Sequence, residues 1–123
     1  MKLNPDCVRD ILLALEIIEN DELSFSEYSE LKSKFNVLEK YSESELRYHV
    51  RQCKLSGLFE GYLEDIIGHT TIKDLSPKAH QILAQIRDDT FWSKLKKRLI
   101  DNAQGFSIDL ILKLASSITL SLI

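Results

Sequence analysis

The run Ser42-Glu43-Ser44-Glu45-Leu46-Arg47-Tyr48-His49-Val50-Arg51-Gln52-Cys53-Lys54-Leu55-Ser56-Gly57-Leu58-Phe59 specifies, by local signals, a helix that stops at a glycine and passes directly into a strand. Ser42 with Glu45 three residues on is a capping box, in which each side chain satisfies a free amide of the first turn. At one hundred degrees per residue, Leu46, Val50 and Cys53 form one stripe with His49 at its edge. Arg47, Arg51 and Lys54 gather on another flank, joined by Ser44. Gly57 stands just past the last turn, where a left-handed backbone is cheapest without a Cβ. The helix is therefore apolar toward a core and cationic toward something else.

Working upstream, Asn36 to Tyr41 reads as the turn into this helix. Before it, Tyr28, Leu31, Phe35 and Leu38 carry helical spacing over Glu27 to Leu38, and Leu23-Ser24-Phe25 alternates as a short strand. Asn4-Pro5-Asp6 is a helix start, with Asn as cap and Pro in the first helical position. It predicts a first helix from Pro5 to Glu19 with Val8, Ile11, Leu12, Leu15 and Ile18 toward the core. Leu13 and Ile17 form a second seam that should meet a further element.

Downstream, Leu58 to Leu63 reads as a strand, Glu64 to Gly68 as a hairpin tip, and His69 to Leu75 as the returning strand rich in β-branched residues. The hairpin offers Glu60, Glu64 and Asp65 against only His69 and Lys73, which makes it a poor phosphate clamp. Ser76-Pro77 restarts a helix with Ala79, Ile82, Leu83 and Ile86 on its stripe. A fifth helix is expected over Thr90 to Ala103, carrying the cluster Lys94, Lys96, Lys97 and Arg98. Ser107 caps a last helix, Ile108 to Ile123, that is apolar over more than half its circumference. It is too short and too charged at its start to span a bilayer, so a membrane role is disfavoured. Coverage by a second copy through Leu110, Leu114, Ile118 and Leu122 is the preferred account, giving a homodimer.

The 123 residues, 44% apolar and 28% charged, suit one soluble domain with an appendage. The expected fold class is mainly α with a small β-hairpin (α+β), a winged helix-turn-helix over residues 1–88 followed by a C-terminal helical extension over 89–123. Residues 1–41 carry 5 cations and 9 anions, 42–75 carry 4 and 6, and 76–123 carry 7 and 4. Nucleic-acid binding would thus rest on a local patch rather than on a basic domain. Cys7 and Cys53 both fall on apolar helix faces, as buried reduced thiols of a cytoplasmic protein would.

The order of helix, strand, helix, helix, hairpin and helix resembles bacterial winged-helix regulators. Leu46 to Leu58 looks like their recognition-helix segment, and Leu75-Ser76-Pro77-Lys78-Ala79-His80 like the Leu-Thr-Pro-x-Gly-x that follows their wings, with Ala79 in place of Gly. More narrowly, the chain is similar to a family of bacterial and prophage proteins that carries only an unknown-function label. Asn4-Pro5-Asp6-Cys7-Val8-Arg9-Asp10-Ile11-Leu12, Arg47-Tyr48-His49 and Ile86-Arg87-Asp88-Asp89-Thr90 carry that resemblance. It implies a fold and supplies no catalytic or ligand residues.

Each candidate has a plain alternative. Ser44, Arg47, Tyr48, Arg51 and Lys54 could read double-stranded DNA in a major groove, or could form a solvated helix face. Lys94, Lys96, Lys97 and Arg98 could follow a phosphate backbone, though such runs are more often solubility features. His49 and Cys53, one turn apart, lack further ligands for a metal, and a thiol in an apolar stripe is inert. Neither a phosphate loop nor a nucleophile elbow occurs, so no enzyme and no cofactor are expected. The expected function is a DNA-binding regulator. The alternatives are a protein-interaction module using the acidic hairpin and the last helix, and, less favoured, a membrane-associated protein.

Overall fold

The computed structural model describes residues 1–18, 22–100 and 107–121, the last three of them by backbone alone. Helix α1 spans Pro5–Glu16, and Asn4 caps it by accepting the Asp6 amide at 3.0 Å. Cys7, Val8, Ile11, Leu12, Ala14 and Leu15 are buried on it. Leu13 is half-buried against the core. Ile17 lies beyond the helix end and is exposed, so the second seam is covered at one position of two.

Strand β1 (Leu23–Phe25) precedes helix α2 (Tyr28–Lys34). The helix expected to continue to Leu38 breaks at Phe35, whose backbone is extended, and a 3-10 turn over Asn36–Leu38 follows. The three-residue step from Phe35 to Leu38 fits a 3-10 turn as well as an α-helix, so periodicity could not register the break. Leu38 reaches the core from this turn. The next residues are tied to α1 by a buried polar group: Asp10 accepts from Tyr41 Oη at 2.6 Å and from Lys40 Nζ at 3.0 Å.

Helix α3 spans Glu43–Leu55 with both halves of the Ser42–Glu45 capping box formed. Its end is a Schellman motif: Leu58 N–H donates to Cys53 O at 3.0 Å, Gly57 N–H donates to Lys54 O at 3.1 Å, and Gly57 has φ +75. The ribbon after it has one continuous register in two pieces. Strand β2 (Phe59–Glu60) pairs with β5 (Asp74–Leu75), and β3 (Leu63–Glu64) with β4 (Thr70–Ile72). The strand expected to be unbroken through Leu63 is interrupted at Gly61, where φ is +69 and a Cβ would strike the Lys73 side chain. Strand β1 adds to the other edge of β4, placing Leu23 opposite Ile72 and Phe25 opposite Thr70.

Helices α4 (Pro77–Ile86), α5 (Asp89–Ile100) and α6 (Ile108–Ser121) complete the described chain. They share one hydrophobic cluster with α1 and the sheet, and α5 and α6 contribute Trp92, Leu95, Leu99, Ile108, Ile111, Ala115 and Ile118 to it. Two polar ties fix α4 and α5 to α1. Arg9 donates from Nε to Ile86 O at 2.7 Å and from Nη2 to Arg87 O at 2.8 Å, holding the last carbonyls of α4, and it pairs with Asp89. Asp6 accepts from Trp92 Nε1 at 2.7 Å and pairs with Lys96. Helix α6 lies on α4 and α5 and buries Ile108, Ile111, Ala115 and Ile118. Ile118 is thus covered within the chain and is not available to the dimer seam expected of it. Leu110 and Leu114 are half-buried, and Leu122 lies outside the described residues. Among the described residues no helix is long and apolar enough to cross a membrane.

Candidate nucleic-acid interface

Helix α3 divides its circumference as its sequence requires. Leu46, His49, Val50 and Cys53 are buried, while Ser44, Arg47, Arg51 and Lys54 are exposed. The cationic flank forms one wall of an open groove of about 840 Å³. Its other boundaries are the start of α2, through Glu27 and Tyr28, and the hairpin, through Tyr62, Glu64 and Thr70. The tip end of that hairpin is held to the end of β1, where Ser26 Oγ meets His69 Nδ1 at 3.0 Å.

Two of the three cations lie over tyrosine rings. The Arg47 guanidinium is 5.3 Å from the Tyr28 ring centre, and Lys54 Nζ is 5.0 Å from that of Tyr62. Such contacts hold a long side chain in place while leaving its N–H groups free to donate outward. Burial pushes the Tyr28 hydroxyl up to about 12, and burial likewise raises Tyr62, so both rings carry neutral hydroxyls. Among the described residues none of Arg47, Arg51 and Lys54 is in an ion pair. Glu27, Glu43 and Glu64 nevertheless line the same groove, so its local charge is balanced rather than positive.

The other candidates sort differently. Tyr48 is half-buried with its ring edge-on to His49 at 4.9 Å, so it packs instead of joining the cationic row. In the second cluster Lys94, Lys97 and Arg98 are exposed, but Lys96 is occupied by Asp6. Burial alone would raise the Asp6 carboxyl; the hydrogen bonds from Trp92 and Lys96 outweigh it and hold that group below its ordinary range. His49 is spent on the backbone at both nitrogens. Its Nε2 accepts the Asn4 amide at 2.8 Å, which requires the proton on Nδ1, and Nδ1 donates to Glu45 O at 2.7 Å. Burial lowers its pKa and favours the neutral ring. Burial pushes Cys7 up to about 12 and raises Cys53 as well, so the two free thiols are unreactive core groups.

The residues behind the family resemblance meet in space. Asn4 joins His49, and Arg9 joins Ile86, Arg87 and Asp89. The family model described as "Hypothetical protein (DUF2513)" matches residues 2–107. The chain belongs to the DUF2513 family. This DUF2513 member is also similar to a protein of Haemophilus influenzae described as uncharacterized, at 29% identity over 120 residues, covering 96% of this chain and 95% of that one. No solved structure matches it. The DUF2513 label assigns no chemistry to the groove.

Proposed function

We propose that this protein binds double-stranded DNA as a winged-helix regulator, with α3 entering the major groove and the β2–β5 ribbon lying alongside as the wing. The observation that carries the reading is the row Arg47, Arg51 and Lys54. These cations are exposed and, among the described residues, without ion pairs although carboxylates stand in the same groove, and two of them are steadied by tyrosine rings. The order of α1, β1, α2, α3 and ribbon, with β1 on the wing's returning strand, supports the winged-helix assignment. Ser44, at the start of α3, joins the same surface as a hydroxyl donor or acceptor.

The carboxylates bear on mechanism. Glu27, Glu43 and Glu64 oppose indiscriminate phosphate binding, so affinity depends on contacts that place the guanidinium groups on base edges. The test is selection of duplexes from a random pool at low salt, then titration by fluorescence anisotropy. Arg51→Ala is expected to weaken the selected duplex about tenfold and to reduce the salt slope by about one, without altering thermal stability. Failure to enrich any duplex, or an unchanged affinity for Arg51→Ala, removes the assignment. Protein association through the hairpin is a second reading, favoured by a separate observation at its tip.

A further inference from the structure

The hairpin tip joins ordinary turn residues at its two ends to an unusual apex. Asp65 N–H donates to His69 O at 3.0 Å, Gly68 N–H donates to Asp65 O at 3.1 Å, and Gly68 has φ +87. The Asp65 carboxylate accepts the Ile67 and His69 amides at 3.1 and 2.8 Å, which fixes the loop. The two residues carried at its apex are Ile66, wholly exposed, and Ile67, 88% exposed. Turn centres ordinarily hold Pro, Asp, Asn, Ser or Gly, and a β-branched pair gains nothing there from backbone preference. Leu63 adds a further apolar side chain at 66% exposure, and Glu60, Glu64 and Asp65 are exposed acidic residues of the same ribbon. An apolar tip so framed fits a surface that is apolar and basic, not a phosphate backbone.

The chain itself carries such a surface. On α5, Trp92, Leu95 and Leu99 face the core, and Lys96 is held by Asp6. The opposite arc presents Lys94, Lys97 and Arg98 beside Ile100, which is 72% exposed. We propose that the hairpin tip of one copy docks on the α5 face of a second copy, Ile66 and Ile67 against Ile100 and the lysine stems, with Glu60, Glu64 and Asp65 facing Lys94, Lys97 and Arg98. A two-fold axis makes both contacts at once, so the assembly closes as a dimer. The apolar tip supplies the affinity and the opposite charges supply the orientation. This interface differs from a seam along α6, and it does not depend on the DNA reading because its test is association in solution.

Sedimentation velocity of the full chain over a concentration series decides the matter. The wild type is expected to dimerise, more weakly at high salt. Ile66→Ser/Ile67→Ser should raise the dissociation constant at least about tenfold, since it removes two side chains from an apolar contact. Glu64→Lys and Lys97→Glu should each be monomeric alone, because each sets like charges opposite one another. Mixed in equal amounts they should form a heterodimer, in which every contact again joins opposite charges. Far-UV circular dichroism of each variant should match the wild type, as all four positions are exposed. A wild type monomeric throughout, a dimer that the tip variant retains, or charge variants that fail to associate on mixing overturns the proposal.

Discussion

Arg9 offers the most direct measurement of how the C-terminal helices are held. Its side chain is 14% exposed and its guanidinium donates to Ile86 O, Arg87 O and Asp89, with the carbon of the fork 5.5 Å from the Trp92 ring centre. Each charge-assisted bond to a main-chain carbonyl is worth about 1.5–3 kcal/mol. The Asp89 carboxylate is 92% exposed, so that pair adds less than about 1 kcal/mol after screening. Ordering the long side chain costs up to about 2 kcal/mol. Arg9→Ala should therefore destabilise the fold by roughly 1–5 kcal/mol, and at the middle of that range lower Tm by roughly 10 °C. Arg9→Lys keeps the charge but cannot span two carbonyls, and should recover about half of the loss. Urea unfolding followed by fluorescence suits the question, because Trp92 is the single tryptophan and lies beside the substituted group. A loss below about 0.5 kcal/mol for Arg9→Ala, or full stability of Arg9→Lys, would refute the reasoning that the fork holds α4.

Two further predictions concern groups that the fold keeps neutral. Burial lowers the folded-state pKa of His49, while the unfolded imidazole titrates near 6.5, so the unfolded chain binds protons more readily in mild acid. The stability that His49 contributes is thus present above about pH 6.5 and is lost as the pH falls toward the depressed folded value. His49→Gln can donate to Glu45 O and accept from Asn4 N–H, and should flatten that dependence between pH 7 and 5; urea midpoints at matched pH that keep the wild-type slope would exclude this role for His49. Cys7 and Cys53 should resist a water-soluble thiol reagent at pH 8 in the folded chain and react at once in urea, because both are buried and burial raises both thiol pKa values. Rapid labelling of either in the native state would contradict that account.

Local signals in the sequence were sufficient wherever a few adjacent residues settle the backbone. Asn4-Pro5, the Ser42–Glu45 box, Gly57 and Ser76-Pro77 each satisfy or release amides within one turn, and every one of them bounds a helix as expected. The cationic flank of α3 was legible for the same reason: periodicity alone separates Arg47, Arg51 and Lys54 from Leu46, Val50 and Cys53. The short alternation Leu23-Ser24-Phe25 also announced β1, and the winged-helix resemblance its pairing with the hairpin, while the register was set only in the structure.

What the sequence could not settle are properties that depend on what lies opposite. Nothing local distinguishes Tyr48, which turns to His49, from its neighbours in the row, or marks Lys96 as the lysine that Asp6 takes. The carboxylates of Glu27 and Glu64 stand far from α3 in sequence, yet they share a groove with its cations. Ile118 shows the same limit in the core, where a wide apolar arc reads alike whether its cover is a second chain or, as here, α4 and α5. The amino-acid sequence by itself determined the helix ends and the faces of α3, because those depend on bonds that close within a turn. Only the tertiary structure decided which side chains are spent and which remain for a partner, because burial and pairing are set by residues distant along the chain.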